Sequence, residues 1–420
     1  MAPRRTQRRP ARSARASSPA VNPQQAADAA AKAFSPGIRR QDPLQDDLGR
    51  SRHNLDNDAS HESAMARAVA LGEGVRGTTA PNPWVGAVLV TADGTAFEGA
   101  TEPPPGRHAE IVALDAARAA GADPEGATLH TTLEPCSHTG RTAPCVEAVI
   151  EARVARVFVG VTDPDPQVSG RGVAVLTDSG IEVHGGQCGD EVSASLGPYL
   201  HQRRTGRPWV VLKLAATLDG RIGAPDGTSQ WITSPEARAD AHALRARCDA
   251  VLVGAGTVRA DDPRLTVRQL PEDDPRRPLL ALRDERREPA GLPVGHAAAA
   301  RLDPRRIVLG EARRRAKVQP CAEESGPLPE LLERLAADGV VELLVEGGAH
   351  VAGEFHRSGL VDEYVMYLAP ALMGGDDGLP LLAGAGAASI DELWRGEVAE
   401  ACPVGPDLRI TMFRAARSSE

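Results

Sequence analysis

The 420-residue sequence has few cysteines, few aromatic residues and no long apolar segment. Six cysteines in a chain of this length do not form the framework of a disulfide-rich secreted domain, and they fit a reducing cytoplasm. No apolar run approaches the ~20 residues that a membrane-spanning helix needs. No Gly-x-Gly-x-x-Gly fingerprint of the common dinucleotide-binding fold follows a predicted strand and opens a predicted helix. These absences argue against a disulfide scaffold, a helical membrane protein and a standard Rossmann enzyme.

The composition is otherwise that of a globular enzyme, with 41% hydrophobic and 25% charged residues, and the length predicts two or three domains. The first 57 residues stand apart, because residues 1–16 hold six arginines and no acid, and they predict a basic, disordered tail. The formal net charge of −9 divides into +6 for residues 1–16 and −15 for the remainder. An acidic remainder repels a phosphate backbone, so we expect no nucleic-acid partner.

One imidazole, two thiols and one carboxylate carry the strongest chemical signal. His108 and Glu110 stand two residues apart, and Cys136 and Cys145 follow, each after a proline. Three protein ligands hold Zn²⁺ tetrahedrally and leave a fourth position for water, which the metal activates at neutral pH. A carboxylate that is not a ligand then moves protons to a departing amine. The pattern predicts a zinc hydrolase that removes an amine from a heterocycle, with Glu110 as the proton shuttle.

The local pattern places each of these residues beside a strand end. Pro83–Val90 and Ala127–Leu133 are predicted strands, and His108 opens a predicted helix over Ala109–Ala120. Pro144 suits the start of a helix, which puts Cys145 at a helix N-terminus, where the dipole favours a thiolate. The predicted ligands therefore lie on loops and helix starts at one edge of a sheet.

A polar linker over 203–208 separates this region from a second pattern of alternating strands and helices. Such alternation predicts an α/β domain with a largely parallel sheet. Ser234 is the expected N-cap of the first helix, and Gly347-Gly348 at a strand end is a plausible anion cradle. The predicted strands are Trp209–Leu214, Asp249–Gly254, Val340–Glu346 and Val361–Leu368, and the predicted helices are Pro235–Cys248 and Ala349–Arg357.

Eight residues separate the two cysteines, whereas the general base-deaminase signature has two. This longer insert resembles the pyrimidine deaminase half of the bifunctional deaminase–reductase of riboflavin biosynthesis. The segments that carry the resemblance in the two halves are Pro81–Gly86, Asp163–Gly172, Lys213–Arg221, Ser229–Ser234, Gly256–Arg268 and Val345–Gly348. It implies an α/β protein, with a cytidine-deaminase-like α/β/α domain over 58–203 and a dihydrofolate-reductase-like α/β domain over 204–420.

The resemblance also implies cofactors and site residues. His108, Cys136 and Cys145 would bind Zn²⁺, and the second half would use NADPH to reduce a pyrimidine ribosyl phosphate. We expect a cytoplasmic homo-oligomer without a membrane partner. The NADP-contacting positions would be Ala215, Trp231, Thr257, Asp261 and Gly348. The substrate-contacting positions would be Asn82, Ser229, Arg245, Leu265, Arg268 and Glu346, and the two arginines can grip phosphate through their guanidinium forks.

Three positions depart from the family's usual pattern. Thr101 stands where a histidine is common, Asp165 replaces an asparagine, and Glu285 lies where Asp-Ser often follows a strand. Two alternatives stay open at this point. A tRNA or nucleotide base deaminase would use the basic tail but leaves the second half unexplained. In the other alternative, one half has lost its activity and serves as a scaffold.

Overall fold

The computed structural model describes residues 55–139, 143–166, 168–277, 280, 301–310 and 321–414. Of the predicted tail, only the last three residues are described, and they open the first helix at Leu55. The rest of the tail and Glu285 lie outside the described residues. No helix in the described ranges is long and apolar enough to cross a membrane.

The first half is a five-stranded sheet in the order β2-β1-β3-β4-β5. Strand β1 runs antiparallel to β2 and β3, whereas β3, β4 and β5 are parallel. Every residue of β3 is buried, which requires helices on both faces of the sheet. The strands are β1 (Gly86–Val90), β2 (Ala96–Ala100), β3 (Thr128–Leu133), β4 (Arg156–Val161) and β5 (Glu182–Gly185). The helices are α1 (Leu55–Val75), α2 (Ala109–Ala119), α3 (Cys145–Glu151), α4 (Arg171–Asp178), α5 (Gly189–Ser195) and α6 (Gly197–Thr205).

The predicted elements of this half are confirmed, but β1 is shorter than predicted because it begins at Gly86 instead of Pro83. Pro81 and Pro83 have no amide hydrogen to donate to a ladder, so the chain enters the sheet only after them. Gly86 must be glycine, since a Cβ there would lie 1.8 Å from the carbonyl oxygen of Ala68 in α1.

The second half is an eight-stranded sheet in the order β10-β9-β8-β11-β6-β12-β15-β14. Its first six strands pair in parallel, and β15 and β14 form an antiparallel hairpin at one edge. The strands of this sheet are β6 (Trp209–Thr217), β8 (Ala250–Gly254), β9 (Arg305–Leu309), β10 (Ala322–Glu324), β11 (Glu342–Val345), β12 (Glu363–Ala369), β14 (Gly396–Val404) and β15 (Asp407–Arg414). The strands β7 (Arg221–Gly223) and β13 (Leu379–Pro380) pair separately, and the helices are α7 (Pro235–Arg247), α8 (Ala255–Asp261), α9 (Leu328–Ala337) and α10 (Ala349–Arg357).

The largely parallel sheet predicted for this half is confirmed, as is the N-cap of α7. The Ser234 hydroxyl accepts a hydrogen bond from the amide of Ala237 at 3.2 Å, and Pro235 opens the helix. Strand β11 is shorter than predicted, since Asp249 rather than a neighbouring strand accepts the amide of Val341. Helices α8 and α9, strands β7, β9, β10 and β13 and the C-terminal hairpin were not predicted from the sequence pattern.

Candidate active sites

The sheet of the first half brings the four predicted zinc-site residues to one edge. His108 is the N-cap residue of α2, and its ring takes no part in capping the helix. Cys136 follows the end of β3, and Cys145 is the first residue of α3, as predicted. Because β2 and β3 both run antiparallel to β1, they end at the same edge, and the loops to these residues leave from there.

The spacing of the three ligand atoms fits a zinc ion. His108 Nδ1 lies 3.2 Å from Cys145 Sγ and 3.6 Å from Cys136 Sγ, and all three ligand atoms lie within 4.8 Å of one another. Zn–N and Zn–S bonds of ~2.0 and ~2.3 Å at tetrahedral angles separate nitrogen from sulfur by roughly 3.5 Å. Three donors of the right chemistry therefore lie at a spacing that fits a zinc ion.

Glu110 lies next to this donor set without belonging to it. It is in the first turn of α2, is 3% exposed, and its Oε2 accepts a hydrogen bond from Cys145 Sγ at 3.5 Å. Burial raises the pKa of its carboxyl group, against the opposing charge of His108. A raised pKa suits a group that must both take and give a proton near neutral pH.

The thiols of Cys136 and Cys145 differ in pKa in this arrangement. The hydrogen bond from Cys145 lowers the pKa of Cys136 to about 4, and the amide of Cys145 also donates to Cys136 Sγ at 3.4 Å. The same hydrogen bond, together with burial, raises the pKa of Cys145. One thiolate is thus preformed, and a cation at the centre of the site favours the second.

In the second half, the structure joins two of the predicted substrate residues to each other. Arg245 on α7 donates from Nε and Nη2 to the two carboxylate oxygens of Glu346, at 2.5 and 2.8 Å, and from Nη1 to the carbonyl of Thr266 at 3.3 Å. Burial disfavours the ionised form of Glu346, but the charge of Arg245 outweighs it and holds the pKa at about 2. The fork of Arg245 therefore binds a carboxylate in this structure, not the phosphate for which we expected it.

Arg268 lies nearby with an exposed side chain. Its Nη1 donates to the hydroxyl of Thr266 at 3.0 Å, and its amide donates to Nδ1 of His242 at 3.2 Å. Burial and then the charges of Arg245 and Arg264 lower the pKa of Arg268, so three guanidiniums gather here. Burial and then Arg245 and Arg268 lower the pKa of His242 to about 3, which leaves its ring neutral. The cluster is a cationic surface that suits a phosphate group.

The predicted NADP positions gather in part. A Cβ on Gly348, the N-cap of α10, would lie 3.4 Å from Thr257 Oγ1 in α8, so these two positions adjoin. Trp231 is 69% exposed, and the guanidinium of Arg238 covers its ring at 4.5 Å. The structure places the other predicted contacts as follows: Ala215 is half-buried on β6, Ser229 is half-buried in a loop, Asp261 ends α8, and Leu265 is 2% exposed with φ +54°. The side chain of Leu265 packs in the core, so a substrate contact of this residue through its main chain stays a prediction.

Comparison with known proteins assigns both halves. The cytidine and deoxycytidylate deaminase zinc-binding region matches residues 58–161, and the RibD C-terminal domain matches residues 208–409. The riboflavin biosynthesis protein RibD of Bacillus amyloliquefaciens is 38% identical over 363 residues, which cover 83% of this chain and 95% of the relative. The chain belongs to the RibD family. It is a bifunctional deaminase and reductase of riboflavin biosynthesis, and the two expected folds are confirmed.

Solved structures of RibD proteins agree over most of the chain. RibD of Acinetobacter baumannii, at 32% identity and a TM-score of 0.74, covers 86% of this chain and is itself covered completely. A diaminohydroxyphosphoribosylaminopyrimidine deaminase/5-amino-6-(5-phosphoribosylamino)uracil reductase of Thermotoga maritima, at 31% identity and a TM-score of 0.71, has the same coverage. The family match includes the second half, which a base deaminase acting on tRNA or nucleotides would leave unexplained.

Two departures from the RibD pattern have structural roles here. The Thr101 hydroxyl accepts a hydrogen bond from the amide of Val85 at 3.1 Å and is 2% exposed, so this side chain holds the chain just before β1. The main chain of Asp165 forms a turn, because its carbonyl accepts the amides of Val168 and Ser169. Whether either residue meets the substrate stays a prediction.

Glu134 is a residue of the deaminase site that sequence reasoning missed. It follows β3, is 3% exposed, and accepts hydrogen bonds from the amides of Asp163 and Gly170 in the loop after β4 and from two amides in the first turn of α4. A Cβ on Gly172 in that turn would lie 2.0 Å from the carbonyl oxygen of Pro135, so the start of α4 lies directly against the Cys136 segment. The sequence signal for this role was an acidic residue directly after a predicted buried strand.

Lys213 is the corresponding omission in the reductase half. It stands in the apolar run of β6, where burial lowers its pKa against the opposing effect of the Glu346 charge. Its ammonium group lies 5.8 Å from the centre of the Tyr367 ring. A lysine between two leucines in a predicted buried strand is itself a signal of function.

Proposed function

We propose that the deaminase half acts on 2,5-diamino-6-(5-phosphoribosylamino)pyrimidin-4-one and that the reductase half then converts the ribosyl side chain to the ribityl form. The observation that carries this proposal is the donor set of His108, Cys136 and Cys145 around Glu110, on one chain with a reductase domain. The Thermotoga maritima relative bears both activities in its name.

In the deaminase half, His108, Cys136 and Cys145 are the proposed zinc ligands. Zinc bound there supplies a polarised water molecule at neutral pH. Glu110 would carry at its carboxylate the proton that the departing amine takes up, a role that its buried position and raised pKa support. The loop held by Glu134 and the segment that carries Asn82 would enclose the pyrimidine.

In the reductase half, we propose that Thr257, Gly348 and Trp231 contact NADPH, which supplies the hydride. The choice of NADPH over NADH rests on the family resemblance. Arg268 would bind the substrate phosphate, and the Arg245–Glu346 pair would present its remaining oxygen lone pairs and N–H groups to the ribose. The ammonium of the half-buried Lys213 is suited to donate a hydrogen bond to a carbonyl oxygen in this site.

We also propose that the protein forms a homo-oligomer in the cytoplasm. The edge strand β14 is exposed along most of its length, and Val398 is 51% exposed on it. An apolar, unpaired edge is a surface that a second copy can cover. The six cysteines, all in the described ranges, form no disulfide, in keeping with a reducing compartment.

The direct test supplies the diaminopyrimidine ribosyl phosphate with NADPH and follows ammonia release and NADPH consumption separately. Ammonia should appear without NADPH, and NADPH should be consumed only after deamination. Ammonia release without any NADPH oxidation would assign the second half a scaffold role.

The zinc assignment is tested by Cys136→Ser and Cys145→Ser. Each should lose bound zinc and ammonia release, because a hydroxyl is a poor replacement for a thiolate on zinc, while reduction of the deaminated substrate persists. Cys402→Ser, on β14, is the matched control and should keep one zinc per deaminase site. Metal analysis that finds full zinc occupancy in both ligand variants would refute the assignment.

A further inference from the structure

The segment between α1 and β1 belongs to the deaminase half but lies against the reductase half. It runs from Arg76 to Val85 and carries Asn82, the proposed substrate residue. Since β1 begins where β2 and β3 end, this segment enters the sheet at the edge from which the zinc loops leave. Its position therefore bears on the deaminase site.

Arg76 fixes the start of this segment to the other half. Its Nε and Nη2 donate to the two carboxylate oxygens of Glu342, both at 3.1 Å, and Glu342 is the first residue of β11. The Glu342 side chain is fully buried, and Arg247 of α7 donates to it as well at 2.9 Å. This is a buried, bidentate pair across the joint between the halves, the geometry that holds two groups most precisely.

The same guanidinium also holds Trp84 at the far end of the segment. Its carbon lies 4.7 Å from the centre of the Trp84 ring, which is 3% exposed. Trp84 Nε1 is buried without a hydrogen-bond partner among the residues that the structure describes. The ring is therefore oriented by the stacked cation and by packing, and Arg76 links both ends of the segment to Glu342.

The main chain of the segment is equally close to the reductase half. Gly77, at φ +83°, approaches Ala246 so closely that a Cβ would lie 2.1 Å from its carbonyl oxygen. A Cβ on Gly339 would lie 3.0 Å from Cβ of Pro81, and Arg301 donates to the carbonyl of Ala80 at 2.6 Å. The reductase half thus supports the segment along most of its length.

We propose that the reductase half sets the substrate affinity of the deaminase, with Arg76 as the positioning residue and Glu342 as its anchor. This inference rests on the proposed role of Asn82. The Arg76–Glu342 pair holds the 76–85 segment in the position that lets Asn82 meet the pyrimidine, while the zinc ligands are held by other elements. Loosening the pair therefore weakens substrate binding without removing the metal.

The decisive variant is Arg76→Lys, which keeps the charge but cannot form two parallel hydrogen bonds with Glu342. We expect KM for deamination to rise about tenfold, as small misplacements of a binding group do, with kcat and zinc content unchanged. KM for reduction of the deaminated substrate should not change. Arg409→Lys, which alters the ion pair between Arg409 on β15 and Asp240 on α7, is the matched control and should leave deamination unaffected.

A double-variant cycle shows whether the two residues act through each other. Glu342→Gln should raise the deamination KM by a similar factor, and Arg76→Lys with Glu342→Gln should be no worse than either alone. An unchanged KM in Arg76→Lys overturns the inference while leaving the proposed function intact. Parallel loss of zinc, both activities and melting temperature would show that the pair only holds the fold. Absence of deamination in the unaltered protein would instead reject the proposed function.

Discussion

At the scale of single residues, the chemistry of the deaminase site can be predicted from the types of four residues and their order along the chain. The sequence His108, Glu110, Cys136, Cys145 predicts the cluster that the structure forms, because few residue types can ligate zinc and their neighbours signal strand ends. The Arg245–Glu346 pair is different. Its members are 101 residues apart, and nothing local indicates that the guanidinium binds a carboxylate instead of a phosphate.

Glu110→Gln separates metal binding from proton transfer. The amide keeps the shape of the side chain but cannot cycle a proton, so the variant should retain zinc and deaminate ~10²-fold more slowly or worse. Zinc analysis and the rate of ammonia release provide the measurement. Glu147→Gln, an exposed acid in the first turn of α3, is the control and should behave as the unaltered protein. A near-normal rate in Glu110→Gln would reduce Glu110 to a structural carboxylate.

At the scale of elements, continuous apolar runs and caps predicted the central strands and the helices that follow them. The hairpin of β14 and β15 escaped prediction because nearly every residue of β14 is exposed, which removes the apolar signal of a strand. Helix α8 was missed because it begins directly after β8, has seven residues and holds a glycine in its first turn. Helix α9 is longer, and its buried leucines at 328, 331, 332 and 335 follow the helical period, so its signal was present in the sequence.

Arg268, in the loop that follows α8, allows a test of phosphate binding. Arg268→Ala should raise KM for the ribosyl phosphate roughly ten- to hundredfold, the scale of a lost charge-assisted hydrogen bond, and should leave the Kd of NADPH almost unchanged. Trp231→Ala should weaken NADPH binding and spare the substrate. Steady-state kinetics with nucleotide titrations provide the measurement. If both affinities fall together with the melting temperature in each variant, the two residues only support the fold.

At the scale of the whole molecule, the order of the halves was predicted and the joint between them was not. Val341 of the reductase half is 1% exposed and belongs to the same apolar cluster as the deaminase core. Asp249 fixes the main chain of Val341 at this joint, because its carboxylate accepts hydrogen bonds from the amides of Val341 and Glu342, both at 2.9 Å. A contact between residues so distant in sequence leaves no local pattern.

Asp249 also predicts a pH dependence of stability. Burial raises its pKa to about 7, above the ~3.9 of an unfolded chain. The folded state therefore holds the extra proton, and the associated stability, complete below pH ~4, is lost as pH rises through 7. Asp249→Asn removes this dependence. Between pH 5 and 8, urea unfolding should show the unaltered protein losing more stability than the variant, on the order of a few kcal/mol. Equal losses in both proteins would show that Asp249 does not titrate in this range.

The close approach at Gly77 has a consequence for exchanging modules between RibD relatives. The joint has no room for a side chain at this position, and Gly77 faces the Ala246 carbonyl while its neighbour Arg76 is committed to Glu342. A chimera that takes its deaminase from one species and its reductase from another inherits the two faces of this joint from different parents. We expect such a hybrid to keep this joint only when one parent supplies the arginine–glycine pair and the other supplies the β11 glutamate.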